Sequence, residues 1–382
     1  MDATSEAAGA SGRGRESARA AQRARVAVVG AGYIAREHLA CLATLRNAEV
    51  VAVCDRSAVM AEATADQFRV PAWYTDHAAM LAAAAPDVVH VATPPRSHVP
   101  LALAALEAGA HVFVEKPIAT SAADLATLER AARERGLWLV EDHNYLFNPA
   151  VQRMLALAHG GELGDVVHVE ATFCVDIAGA GSRHADPNGP SPFAGLPGGP
   201  FLDFATHLAY LAHAFVGPHR SVQRIARKRS ANPALAADEL RAQVDAERGT
   251  AWLGFSSHSQ PDAFSLRVHG TRLRAEASLF EPLLRVERVR GGPSPLQPVA
   301  NGLDAARAFA SSAIGGLARK LSGRPLTYAG LWTLLARLYD ALESGEAPPI
   351  APAAISATSA LVFDLLDGIG DADAAPAAER RA

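Results

Sequence analysis

The chain has 382 residues, with 36 Lys and Arg against 40 Asp and Glu and a formal net charge of −4. Hydrophobic residues make up 49% of it, enough apolar material for about two ordinary domains. The near-balanced charge gives no electrostatic reason to expect nucleic acid or an anionic membrane as partner. Three cysteines, Cys41, Cys54 and Cys174, stand far apart, which argues against a disulfide framework or a zinc knuckle, and no apolar run reaches the roughly 18 residues of a membrane span.

Residues 1–24 are rich in Ala, Ser and Arg, lack the apolar centre of a secretory signal, and carry Asp2, Glu6 and Glu16, which a transit peptide avoids. They are expected to be a disordered tail, as is the Ala/Asp/Pro-rich end 371–382. The expectation is a cytoplasmic protein with reduced thiols.

The first predicted strand, Arg25–Val29, runs into Gly30-x-Gly32-x-x-Ala35 and then a helix. Gly30 permits a tight turn, Gly32 lets backbone approach a pyrophosphate, and Ala35 keeps helix close to strand. Tyr33 and Ile34 open that helix, whose unpaired N–H groups face the same phosphates. The second strand, Glu49–Cys54, ends at Asp55, placed to accept from a ribose hydroxyl and repel a 2′-phosphate. Arg56 beside it would attract such a phosphate instead; the balance favours NAD over NADP.

A short strand near Ala72–Tyr74 is followed by Asp87–Ala92, His111–Val114 and Leu137–Glu141, with amphipathic segments at Ser97–Glu107 and Ser121–Arg135 and helix-ending glycines at 109 and 136. Alternating apolar strands and helices imply a parallel sheet covered on both faces, a doubly wound nucleotide-binding domain over 25–147. Ligands of such a sheet sit beyond the carboxyl ends of its strands. Thr93, Pro94 and His98 follow one strand end, where a nicotinamide would pass; His98 equally suits a helix N-terminus. Glu115 and Lys116 follow another. An ammonium there can stabilise an alkoxide, and partial desolvation would lower its pKa; a surface lysine fits the same position. Asn144 and Tyr145 follow the last strand and could donate to polyol oxygens, or Tyr145 could simply pack.

From residue 148 the pattern changes. A helix at Pro149–His159 precedes a strand at Asp165–Val175, a Gly/Pro-rich loop at 176–200, and a helix near Phe201–Phe215. Arg183 and His184 in the loop are candidate specificity residues, or merely solvated. Asp203 and His207 lie one helical turn apart, so a histidine able to take a hydroxyl proton has a carboxylate on its own face. Spacing alone also fits a first-turn acid favoured by the helix dipole and a packed ring. No third ligand completes a metal site.

Six strand-like runs then follow without intervening helices, Ser221–Ser230, Glu239–Glu247, Thr250–Ser257, Ala263–His269, Arg272–Leu279 and Leu283–Val289, and three helical stretches close the chain, near Leu303–Leu321, Tyr328–Ser344 and Pro352–Leu366. Strand after strand predicts a largely antiparallel sheet. The fold class expected is α/β: a Rossmann domain, then an α+β domain over 148–370 with a large open sheet. Helices would cover one face; the bare face would join copies of the chain.

These pieces together resemble the Gfo/Idh/MocA oxidoreductases, relatives of glucose–fructose oxidoreductase and inositol dehydrogenase, over roughly Arg25 to Leu366. The markers are Gly-Ala-Gly-Tyr-Ile-Ala at 30–35, Ala-Thr-Pro-Pro-Arg-Ser-His at 92–98, Glu-Ala-Gly-Ala-His-Val-Phe-Val-Glu-Lys-Pro at 107–117, Gly161-Glu-Leu-Gly164 and Asp203-x-x-x-His207. The resemblance implies Lys116, Asp203 and His207 around a substrate carbon next to a nicotinamide, Asp203 positioning His207 or a second hydroxyl, and dimers or tetramers. This chain differs in having Leu146-Phe147 where many relatives carry an arginine before the phenylalanine, and Gly270-Thr271-Arg272-Leu273 where many have Gly-Thr-x-Gly. The implied activity is dehydrogenation of a secondary alcohol of a sugar, sugar derivative or cyclitol with NAD. Two alternatives stay open: a glycosidase of this fold working by transient oxidation and elimination, and a non-catalytic NAD sensor, against which the intact Lys116 and His207 weigh.

Overall fold

The structure, a computed structural model, describes residues 23–177, 196, 198–230, 235–281, 283–289, 296–321 and 328–369. Both expected tails, and Arg183 and His184, lie outside the described residues apart from Arg23 and Ala24.

Six strands form the first sheet: β1 (Ala24–Val29), β2 (Ala48–Cys54), β3 (Trp73–Tyr74), β4 (Val88–Val91), β5 (His111–Val114) and β6 (Leu139–Glu141). Their order is β3-β2-β1-β4-β5-β6, all parallel. The order reverses at β1, and helices α1 (Tyr33–Leu42), α2 (Ala58–Phe68), α3 (His77–Ala84), α4 (His98–Glu107) and α5 (Ala122–Arg135) connect the strands. Strands buried on both faces need continuous apolar sequence, and Val26–Val29 and Val88–Val91 are buried at every position. The local signals act as expected. Ser57, Asp76 and Ser121 accept from first-turn N–H groups as N-caps, and Gly136 ends α5 in the left-handed region.

After a 3₁₀ turn at Asn144–Phe147 and α6 (Pro149–His159), the chain builds a second sheet. Its strands are β7 (Val166–Cys174), β8 (His219–Arg227), β9 (Glu239–Ala246), β10 (Gly249–Ser256), β11 (Ala263–Gly270), β12 (Leu273–Ser278) and β13 (Leu283–Arg288). The order is β13-β12-β11-β7-β10-β9-β8, antiparallel except for the central β7–β10 pair. Side chains alternate across it. Val169, Ala171 and Phe173, with Leu253 and Phe255 and with Phe264 and Leu266, are buried against α7 (Pro200–Val216). The other face carries exposed Val167, Ile225 and Trp252 beside a ladder of charges in which Arg267 pairs with Glu170 and Glu276.

The closing helices depart from expectation. The sequence places all three over the second sheet. Instead α9 (Ala329–Ser344) returns to the first domain, where Leu331, Leu334, Leu335, Leu338 and Tyr339 complete its core. An apolar stripe declares that a helix is covered but not by what. Of the other two, α8 (Gln297–Leu321) runs along β13, and α10 (Pro352–Leu366) packs on α7. Among the described residues, no helix is long and apolar enough to cross a membrane.

Candidate active site

The glycine turn is built for close approach. Gly30 sits at φ +109°, its N–H bonds the Cys54 carbonyl at 2.7 Å, and a Cβ there would collide with the Ala92 carbonyl of the neighbouring strand. Above Gly32 the space is open, and α1 begins there with no side-chain cap and no acid in its first turn. Uncapped N–H groups below an open backbone surface form a cradle fitted to a pyrophosphate. Asp55 closes one side, accepting from Ala31 N–H and Ser57 N–H, each at 2.9 Å. Arg56 is exposed next to it. Tyr33 is exposed, its ring 5.9 Å from that of Tyr328, whereas Ile34 leans into the domain core.

At the end of β4, Pro94 is exposed and Thr93 accepts from the Ser97 hydroxyl at 2.9 Å. His98 does not face the crevice. It is fully buried, with Nδ1 2.8 Å from the Pro117 carbonyl and Nε2 2.7 Å from the Thr93 carbonyl, so it braces two strand-end loops against each other. Glu115 also points away from the crevice. Its carboxylate is buried 2.9 Å from His38 Nε2, and His38 in turn meets His90 at 3.0 Å and His90 meets the Tyr339 hydroxyl at 2.8 Å. Burial opposes the Glu115 charge, but the His38 contact, Lys116 and Asp142 outweigh it and hold its pKa down. Asp142, fully buried alongside, has its pKa pushed well above the carboxylate range by burial and then by Glu115's charge. His38, Glu115 and Asp142 bring ligand-type atoms within 4.8 Å of one another, all buried, with the His38–Glu115 contact a 2.9 Å hydrogen bond.

Lys116 turns the opposite way from its neighbour. Its Nζ lies 2.6 Å from Asp203 Oδ1 and 3.4 Å from the Asp203 carbonyl, with the Phe204 ring beneath at 5.7 Å. A lysine from the strand β5 end of one domain thus meets the first turn of α7 in the other. Burial works against the ammonium, but the Asp203 and Glu115 carboxylates outweigh it, so its pKa is raised rather than lowered as the sequence suggests. Lys116 is a fixed cation and a hydrogen-bond donor, not a base.

His207 follows one turn along α7. It is 4% exposed, and burial first, with the Lys116 cation and then His143, pushes its pKa well below the usual imidazole value. The ring is neutral at neutral pH. Asp203 does not orient it: that carboxylate is taken by Lys116, and His207 Nδ1 lies instead 2.8 Å from the Tyr210 hydroxyl. Tyr145 meets the His207 ring edge-on at 4.9 Å. His143, held by Glu141 at 2.8 Å, stacks beneath Tyr210 at 4.4 Å. His143 reaches the site together with Asn144 and Tyr145 from the turn after the last strand, whereas Tyr210 carries no motif of its own, although it sits three residues after His207, where a helix places neighbours. Asn144 Oδ1 accepts from the Tyr210 hydroxyl at 3.3 Å. Of the two departures from the family pattern, Leu146 packs between both cores, and Thr271 lies in a turn where its hydroxyl accepts from Asp165 N–H at 3.1 Å.

The arrangement brings a neutral imidazole and a paired ammonium together where the carboxyl end of a parallel strand, β5, meets the start of α7. One can remove a proton from a hydroxyl and the other can stabilise the resulting oxyanion.

Comparison with known proteins gives the family and the fold. Residues 24–143 match the family described as "Oxidoreductase family, NAD-binding Rossmann fold", and residues 151–276 match the GFO/IDH/MocA C-terminal domain. D-glucoside 3-dehydrogenase of Escherichia coli is 37% identical over 143 residues, 37% of this chain and 41% of that protein. A dTDP-3,4-didehydro-2,6-dideoxy-alpha-D-glucose 3-reductase of Streptomyces violaceoruber is 34% identical over 200 residues, 52% of this chain and 56% of that protein. The chain therefore spans about half the length of the curated relatives it matches. Among solved structures, levoglucosan dehydrogenase in complex with NADH superposes with a TM-score of 0.74 at 17% identity, covering 91% of this chain and 96% of the other. The WlbA dehydrogenase of Bordetella pertussis, in complex with NADH and UDP-GlcNAcA, gives 0.72 at 20%, covering 91% and 95%.

Proposed function

The chain belongs to the Gfo/Idh/MocA oxidoreductase family, and we propose that it transfers hydride between a secondary alcohol of a sugar, sugar derivative or cyclitol and NAD. The observation that carries this reading is the Lys116–Asp203 ion pair at 2.6 Å, joining two domains, with a neutral His207 one turn further along.

The residues at the first domain's crevice fit a dinucleotide. Gly30 and Gly32 give the close backbone approach, the uncapped start of α1 takes the pyrophosphate, and Asp55 takes the ribose hydroxyls. Asp55, fixed by two backbone N–H groups, opposes a 2′-phosphate, which supports NAD over NADP. The nicotinamide supplies hydride acceptance when bound. Within the substrate crevice, His207 takes the hydroxyl proton. Lys116 donates to the same oxygen and stabilises it as it becomes anionic. Asp203 holds the lysine in place and leaves its second oxygen for a neighbouring hydroxyl. Asn144 and Tyr145 border the crevice as polyol contacts. The bare sheet face, with Val167, Ile225 and Trp252 exposed, supports association into dimers or tetramers.

A panel of polyols, aldoses and nucleotide sugars, read by NADH absorbance, tests the reading. At least one is expected to yield NADH. A tenfold or greater preference for NADP in kcat/KM would reverse the cofactor assignment. Release of aglycone from a nitrophenyl glycoside with no net NADH would replace the dehydrogenase reading by the glycosidase one.

A further inference from the structure

An imidazole is a base only at a nitrogen that carries no proton, so the tautomer of His207 decides whether it can do the work assigned to it above. The hydrogen bonds around Tyr210 determine that tautomer. A phenol has one proton to give and two lone pairs with which to accept. Three partners surround the Tyr210 oxygen: the Tyr145 amide at 3.1 Å, Asn144 Oδ1 at 3.3 Å and His207 Nδ1 at 2.8 Å. The amide can only donate, so it occupies one lone pair. Asn144 Oδ1 can only accept, so it takes the phenolic proton. A lone pair remains for His207, whose Nδ1 must then carry hydrogen.

We propose that Tyr210 and Asn144 act together as positioning residues that lock His207 in the Nδ1–H tautomer, leaving Nε2 unprotonated toward the crevice. The reverse arrangement is worse on two counts. If Tyr210 donated to Nδ1, the Asn144 oxygen would lose its donor and Nε2 would bear the proton, useless for accepting one. Water does not compete, because Tyr210 is 3% and His207 4% exposed. Nor do the rings turn freely: His143 stacks on Tyr210 with planes 22° apart, and Tyr145 meets His207 at 85°. Nε2 has no hydrogen-bond partner among the described residues.

The lock is shared between domains. His207 and Tyr210 sit three residues apart on α7, while Asn144 and Tyr145 belong to the turn after β6. The base is therefore set only when that turn is seated against α7. This inference rests on His207 being the base, and its test can fail separately from that reading.

The test is ¹⁵N NMR of the full chain labelled at histidine. The His207 signals are assigned among the 14 histidines by their loss in His207→Gln. Wild type is expected to show hydrogen on Nδ1 and none on Nε2. Tyr210→Phe and Asn144→Leu are each expected to move hydrogen onto Nε2. In both, kcat should fall about 10²-fold or more; in Tyr210→Phe, which removes no substrate contact, KM should hold within about twofold. Asn144→Asp keeps the acceptor oxygen and should keep the tautomer. A wild-type proton on Nε2, or a tautomer unmoved in both Tyr210→Phe and Asn144→Leu, would overturn the proposal, and the second variant serves if the first does not fold. The expected tautomers with no turnover of any polyol would defeat the dehydrogenase reading and leave this one standing.

Discussion

The side chain at 116 shows how neighbours choose between two chemistries open to the same residue. A lysine buried alone would lose its proton; this one meets Asp203 at 2.6 Å and keeps it. Its role is therefore electrostatic and belongs to the transition state rather than to binding. Lys116→Met should lower kcat about 10²- to 10³-fold, the usual cost of one oxyanion donor, with NAD affinity nearly kept, as measured by steady-state kinetics and NADH fluorescence titration. Unchanged turnover would remove the lysine from the mechanism. His207 carries the complementary expectation. Burial and the Lys116 cation depress its pKa below the usual 6.5, so the acidic limb of kcat/KM should lie below pH 6.5. Lys116 and the Asp203/His207 spacing were legible because strand-end placement and a four-residue helical repeat are local facts. The orientations of His98 and Glu115 were not, because which way a side chain near a strand end turns depends on what packs over it.

Among the elements, α9 illustrates how a distant segment shapes the site. Gly330, in its first turn, lies against the carbonyl of Asn144, and an added Cβ would collide with that oxygen. The helix start thereby presses on the turn that carries Asn144 and Tyr145. Gly330→Ala gains at most about 1 kcal/mol in helix propensity, whereas relieving the overlap costs about 1–3 kcal/mol. The variant should have a lower melting temperature and a lower kcat, because the turn that holds Tyr210 must shift. Higher stability with unchanged kcat would show the turn to be yielding. The strands and most helices were legible as types, since apolar runs and 3.6-residue stripes are periodic. The partner of α9 was not, since a stripe of Leu residues fits either core equally.

For the whole molecule, buried histidines set the response to acid. Burial, with His219 and His143 adding to it, lowers the His213 pKa to about 4; burial and His38 lower that of His90. A group whose folded pKa lies below its unfolded value leaves stability unaffected above the unfolded pKa and removes it as pH falls beneath. For His213 the window runs from 6.5 down to about 4, with a slope of about 1.4 kcal/mol per pH unit. Denaturant unfolding between pH 7 and pH 4 should show that loss, and His213→Leu should flatten it by about one proton. An identical slope in the variant would place the acid response elsewhere. Sedimentation at micromolar concentration tests the bare sheet face: a dimer or tetramer is expected, weakened by Trp252→Glu, and a monomer would refute it.

Sequence alone determined what is written in neighbouring residues: the Rossmann strand and glycine turn, the switch from alternating to successive strands at residue 148, and the pairing of Asp203 with His207 on one helix face. These follow from periodicity and backbone sterics, which act over a few residues. Only the tertiary structure decided the electrostatics. That Asp203 serves the lysine rather than the histidine, that Lys116 stays charged, and that His207 answers to Tyr210 and Asn144 all depend on groups brought together from far along the chain. A proton goes where burial and the nearest partner place it, and neither is set by spacing.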